Sequence, residues 1–133
     1  MTNAAIEIPN LLYRYAELFD AGDFLAVAHL FDAGCVVVDG HEIRGAEAIS
    51  GMWQGYVHIK DDGTPRTRHL ITNPLIEVSK DGQSASCRSQ WTVLQMTETL
   101  PLQVIASGRY LDTFAIVEGE WRFTRREYGQ VDF

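Results

Sequence analysis

Little in this chain is positively charged, cross-linked or continuously apolar. Lys and Arg number 11 against 18 Asp and Glu, a formal net charge of -7. That deficit argues against an electrostatic grip on nucleic acid or on an anionic membrane. There are only two cysteines, Cys35 and Cys87. Each sits in an apolar or strand-like run, so buried thiols are expected rather than a disulfide framework. No stretch approaches the ~20 apolar residues of a membrane-spanning helix. The start, Met-Thr-Asn-Ala-Ala-Ile-Glu, has neither the basic nor the apolar run of a signal peptide, so a cytoplasmic protein is the default expectation. No two of the four histidines, His29, His41, His58 and His69, share a short ligand-like spacing, and no metal is expected. A G-x-S-x-G elbow, a P-loop and a G-x-G-x-x-G fingerprint are all missing, which removes sequence support for a serine nucleophile or a nucleotide cofactor. No cofactor of any kind is implied.

What is present is the material of one globular domain spanning residues 1–133: 46% hydrophobic and 22% charged residues, with three Trp, six Phe and five Tyr to fill a core. Ile8, Leu11, Leu12, Tyr15, Leu18 and Phe19 recur at helical spacing, with Pro9 suited to the first turn. Asp23 suits the N-cap of a short second helix over 24–31. Cys35 to Val38 forms a short strand, closed by a turn at Asp39-Gly40. A third helix is expected over 46–59, with Ile49, Met52, Trp53 and Tyr56 along one side. The remainder predicts strands over 67–80, 84–97, 102–117 and 120–131, joined by short turns. Helices leading and strands trailing argue for an α+β fold, a curved antiparallel sheet covered by N-terminal helices around an apolar pocket. The basic residues Arg122, Arg125 and Arg126 are expected on a solvated strand face or an oligomer contact.

Three polar residues stand out. Strand alternation puts His69 on the same face as Ile71, which places the imidazole beside apolar neighbours. Such a histidine is more often simply packed than chemically employed, and both readings stay open. Asp20 ends the first helix, where a carboxylate opposes the helix dipole and calls for a compensating partner. Asp112 shares a strand face with Tyr110 and Phe114. If that face is the inner one, this carboxylate needs a partner too, for structure or for catalysis, with Arg109 pointing the other way.

Four segments together resemble the SnoaL-like branch of the nuclear transport factor 2-like superfamily, whose fold is cystatin-like. They are Arg14-Tyr15-Ala16 with Asp20-Ala21-Gly22-Asp23-Phe24; Arg44-Gly45-Ala46-Glu47-Ala48-Ile49; Thr67-Arg68-His69-Leu70-Ile71-Thr72-Asn73; and Gly108-Arg109-Tyr110 with Gly119-Glu120-Trp121-Arg122-Phe123. The layout is most similar to scytalone dehydratase and hexachlorocyclohexane dehydrochlorinase. The resemblance implies an Asp–His pair at the cavity, falling on Asp20 and His69. It departs at Phe19, where scytalone dehydratase has a tyrosine, at Gly108 and Tyr110, which replace a serine and an asparagine, and near Ser89 and Gln90, where a second histidine is missing.

The function this implies is cofactor-independent proton transfer, as a dehydratase-like lyase or an isomerase acting on a small cyclic, aromatic or polyketide-like molecule. Tyr15, Tyr56 or Tyr110 would donate to a developing enolate oxygen, and Phe24, Met52, Trp53 and Trp91 would form the walls. The same superfamily also implies an alternative, a non-catalytic binding or accessory module like the β subunits of ring-hydroxylating dioxygenases. A third reading borrows the two aspartates and arginine of its epoxide hydrolases, for which no arginine is clearly inward-facing. A homodimer or homotrimer is expected by resemblance, through the open sheet face.

Overall fold

The computed structural model describes residues 3–129, with three helices covering one face of a six-stranded sheet. Helix α1 (Ala4–Asp20) starts at Asn3, whose side chain accepts from the Ala5 amide. This cap sets the helix start earlier than Pro9 suggested and leaves Pro9 inside the helix. The buried stripe of α1 is Ile8, Leu11, Leu12, Tyr15, Ala16 and Phe19. Helix α2 (Phe24–His29) is capped by the Asp23 carboxylate on the Ala26 amide and ends short of residue 31. Helix α3 (Ala46–Gln54) stops at Gly55 instead of running to 59. Glycines at 51 and 55 weaken its final turn, and the chain beyond passes over a cavity mouth.

Strand β1 (Cys35–Val38) turns at Asp39 and Gly40, both at positive φ (50° and 78°), into β2 (His41–Ile43). The strand β2 has only three residues, too few to carry an alternation signal. Then come β3 (Thr67–Val78), β4 (Ser84–Gln95), β5 (Gln103–Val117) and β6 (Glu120–Tyr128). The end expected at 131 lies outside the described residues. Strand order is β2-β1-β6-β5-β4-β3. One junction departs from the expected antiparallel pattern: β1 runs parallel to β6, so the sheet is mixed. A parallel neighbour requires a long crossover rather than a hairpin, and here the whole of α3 and β3–β5 lies between the two strands. Both cysteines are buried free thiols. Among the described residues, no helix is long and apolar enough to cross a membrane.

A β-bulge decides what the sheet presents inward. The β5–β6 register moves from Thr113↔Arg125 to Phe114↔Phe123, which leaves Thr124 as an extra residue. Its hydroxyl pairs with that of Thr113 at 2.8 Å. The chain before β1 crosses this bulge so closely that a Cβ on Gly34 would stand 2.0 Å from the Thr124 carbonyl oxygen. Before the bulge Trp121 and Phe123 point inward; after it Arg126, not Arg125, does.

The expectation of a solvated arginine face is therefore corrected at Arg126. Arg122 and Arg125 are exposed, but Arg126 is 0% exposed and Asp112 only 2%. Arg126 donates from Nε to Asp112 Oδ1 at 2.8 Å and from Nη2 to Oδ2 at 2.9 Å. Its guanidinium carbon lies 3.5 Å from the Tyr110 ring centroid, 4.3 Å from that of Tyr15 and 5.0 Å from that of Phe123. Burial opposes the guanidinium's charge, but the Asp112 carboxylate outweighs it and holds the proton more firmly than usual.

Breaking this pair strands a charge away from water. Asp112→Ala is expected to lower unfolding stability by about 3–5 kcal/mol. Arg125→Ala, on the exposed parity of β6 beside Arg126, should stay within about 0.5 kcal/mol of the parent. Urea denaturation of both variants checks the contrast.

Candidate functional site

Between α1, α3 and the concave face of the sheet lies a cavity of about 610 Å³. Its walls are mainly apolar: Phe19, Val38, Met52, Trp53, Trp91 and Val93 among others. Of the residues expected to line it, Tyr15, Trp53, Tyr56, Trp91 and Tyr110 do so. Phe24 does not. Its ring is buried in the core against Phe19, 4.8 Å away between centroids, where α2 packs against α1 and α3. Tyr56 is 75% exposed and stands at the mouth with His58 and Lys60. Trp91 owes its position to Gly108, where an added Cβ would come within 2.6 Å of the indole.

His69 also lines the cavity, on β3, against the rings of Phe19 and Tyr15. Asp20 meets it from the C-terminal end of α1. The His69 Nδ1 to Asp20 Oδ1 distance is 2.6 Å. The same oxygen accepts from the Thr67 hydroxyl at 2.9 Å, and Oδ2 accepts from the His69 amide at 2.8 Å. The partners that a carboxylate needs at a helix C-terminus are thus supplied by β3. With Nδ1 held, Nε2 is the ring nitrogen left for the cavity, and no described residue engages it.

The far end of the cavity is polar in a different way. Tyr15 and Tyr128 hydroxyls meet at 2.6 Å, and the Trp53 indole donates to Tyr128 at 3.1 Å. Burial pushes the phenols of Tyr15, Tyr110 and Tyr128 well above the ordinary tyrosine range, with Arg126 opposing the shift in each case. All three therefore stay neutral donors. Tyr128 was absent from the sequence expectations, and unbroken alternation along β6 would have placed Glu127, not Tyr128, on the inner face. The only signal was the charged run Arg125-Arg126-Glu127, which occupies both parities of one strand and betrays a break in alternation.

Behind the cavity wall, Asp112 has both oxygens on Arg126, and neither residue lines the cavity. An arginine does face inward, contrary to expectation, yet this pair is not placed to activate water in the cavity as the epoxide-hydrolase reading needs. Among the described residues, no three His, Cys, Asp or Glu side chains converge to hold a metal ion.

Comparison with known proteins bears on this geometry. The sequence profile of the SnoaL-like domain matches residues 2–127. The chain belongs to the SnoaL-like family. Two β subunits of the terminal oxygenase component of terephthalate 1,2-dioxygenase, from Comamonas, are each 31% identical to it over 94 residues. That match takes in 71% of this chain and 57% of the subunit, so the chain spans little more than half the length of these relatives. A solved NTF2-like protein with a cystatin-like fold, from Novosphingobium aromaticivorans, is 27% identical with a TM-score of 0.77, covering 95% of this chain and 80% of its own. A second protein from that organism, provisionally named a scytalone dehydratase, is 24% identical with a TM-score of 0.69 over 92% of this chain and 80% of its own; it shows the shared fold.

Two outcomes test the architecture of this SnoaL-like cavity. Raising pH should leave the folded state intact until unfolded phenols ionise, near pH ~10, and destabilise it above that, because a raised folded pKa is a liability only once the unfolded group loses its proton. Absorbance at 295 nm should show Tyr15, Tyr110 and Tyr128 ionising together with the loss of circular dichroism. Gly108→Ala should drive the Trp91 indole into the cavity, shifting tryptophan emission and weakening uptake of apolar ring compounds.

Proposed function

We infer that this SnoaL-like protein catalyses cofactor-independent proton transfer on a small ring-bearing molecule, as a dehydratase-like lyase or an isomerase. The observation that carries the reading is the 2.6 Å contact between His69 Nδ1 and Asp20 Oδ1 at the wall of an apolar cavity. A carboxylate on Nδ1 fixes the tautomer and the ring orientation and leaves the lone pair of Nε2 toward the cavity. Neutral Nε2 takes a proton from a carbon beside a carbonyl. The electron pair left behind forms a C=C bond as a β C–O bond breaks. The departing hydroxyl takes the proton from the imidazolium and leaves as water. In isomerisation the same proton returns to another carbon. Asp20 stabilises the imidazolium between the two steps, and the surrounding low dielectric strengthens that interaction.

A second reading, as a non-catalytic accessory subunit, draws on the likeness to the dioxygenase β subunits and on the outer sheet face. There Leu70, Leu75, Val104 and Leu111 are exposed, an apolar strip of the kind that partner chains cover. Copurification with a large oxygenase subunit would favour it.

Hydrogen–deuterium exchange beside the carbonyl of cyclic ketones, 1-tetralone foremost, followed by proton NMR in D2O, decides between them. The wild-type protein should accelerate exchange over buffer. His69→Ala should remove roughly 10²–10⁴-fold of that acceleration, and Asp20→Asn a smaller part. Exchange no faster than in buffer, or indifferent to His69→Ala, would sink the catalytic reading.

A further inference from the structure

Counting donors and acceptors around Tyr128 gives that residue a task. A phenol has one O–H and two lone pairs, whereas an indole N–H only donates. Trp53 therefore occupies one lone pair of the Tyr128 oxygen, at 3.1 Å. The Tyr15–Tyr128 contact at 2.6 Å permits either direction. If Tyr128 donated to Tyr15, the hydrogen of the buried Tyr15 would need another acceptor. Tyr110 and Arg126 crowd that hydroxyl, but among the described residues only Tyr128 meets it at hydrogen-bond geometry. Arg126 is a cation with donors only and lies 4.3 Å from the Tyr15 ring centroid, so it repels a hydrogen aimed at it. The opposite direction satisfies both hydroxyls and the Trp53 indole, with Arg126 Nη1 the buried donor of the cluster that stays without a partner. Tyr15 donates to Tyr128, both lone pairs of Tyr128 are filled, and its own O–H is left over at the cavity wall it lines.

We propose that Tyr128 is the ligand-reading donor of the cavity, polarised by Trp53 and by the Asp112–Arg126–Tyr15 chain behind it, and that the ligand is a mono- or bicyclic molecule whose ketone or enolate oxygen accepts that hydrogen. Tyr15 and Arg126 are positioning residues. Two incoming hydrogen bonds withdraw charge from the Tyr128 oxygen and make its hydrogen a better donor. The neutral phenol suits an oxygen that gains charge as a proton leaves the adjacent carbon. The proposal rests on the ring-ligand reading of this cavity but not on turnover.

The experiment compares 1-tetralone with tetralin, the same bicycle without the oxygen, by calorimetric titration of the full chain. In Tyr128→Phe the preference for the ketone over the hydrocarbon should fall about tenfold, the scale of one well-made hydrogen bond, with tetralin affinity little changed. Tyr15→Phe should lower the ketone preference by less. An unchanged preference in Tyr128→Phe, an unchanged or raised one in Tyr15→Phe, or no measurable binding of 1-tetralone to the wild type would overturn the proposal. If Tyr128→Phe does not fold, infrared difference spectra of carbonyl-labelled 1-tetralone bound to the wild type decide. A stretch at lower frequency than in cyclohexane is expected, and an unshifted band would overturn it. Loss of ketone preference in Tyr128→Phe alongside exchange that ignores His69→Ala would support this proposal while sinking acid–base catalysis.

Discussion

A guanidinium with no route to water sits inside this domain, and much of the surrounding architecture answers its requirements. An unpaired cation at Arg126 would be intolerable in such a core, so Asp112 must stand beside it on the neighbouring strand at matching register. The flat faces of the guanidinium must meet something polarisable, and Tyr110, Tyr15 and Phe123 supply rings from β5, α1 and β6. One buried charge thereby ties the first helix to the two central strands. Those same tyrosines form part of the cavity wall, so the group that organises the core also sets the electrostatics of the space beside it.

The cavity consequently has two chemically distinct regions. At one, a carboxylate and an imidazole are held together by β3 and the end of α1. At the other, neutral phenols are backed by a positive centre and are suited to holding an electron-rich oxygen. Between them lie Phe19, Trp53 and Trp91, which contribute shape and dryness rather than directed bonds. The proposed proton transfer would draw on both regions across one shared apolar space.

The element order apart from β2, the helical stripe on α1, the turn at Asp39-Gly40 and the place of the cavity were legible in the sequence, because each rests on a periodicity or on a local backbone requirement. Asp20 and His69 were singled out for physical reasons, one as a carboxylate at the wrong end of a helix, the other as an imidazole on an apolar strand face. Their closeness depends on how α1 lies on β3, a tertiary relation that no local pattern encodes. Phe24 was misplaced for the same reason: a helical stripe identifies a buried face but not which neighbour buries it. Arg126 was placed on the solvated face and Tyr128 was not named, and alternation could not have corrected either, because Thr124 resets its phase without any composition that marks it.

That reset has a wider meaning for how such a domain can diverge. The polar region of its interior is indexed to a count of residues along β6 rather than to the identity of any one of them. Point changes along the walls can resize or reshape the space gradually. Insertion or deletion of a single amino acid between Phe123 and Arg126 would instead turn the buried cation out to solvent, carry the Tyr128 hydroxyl with it, and leave Asp112 stranded. Gly34, pressed against the extra residue, holds that count in place from outside the strand. Substitutions that keep this crossing alter the space locally, whereas changes that break it disturb the whole interior.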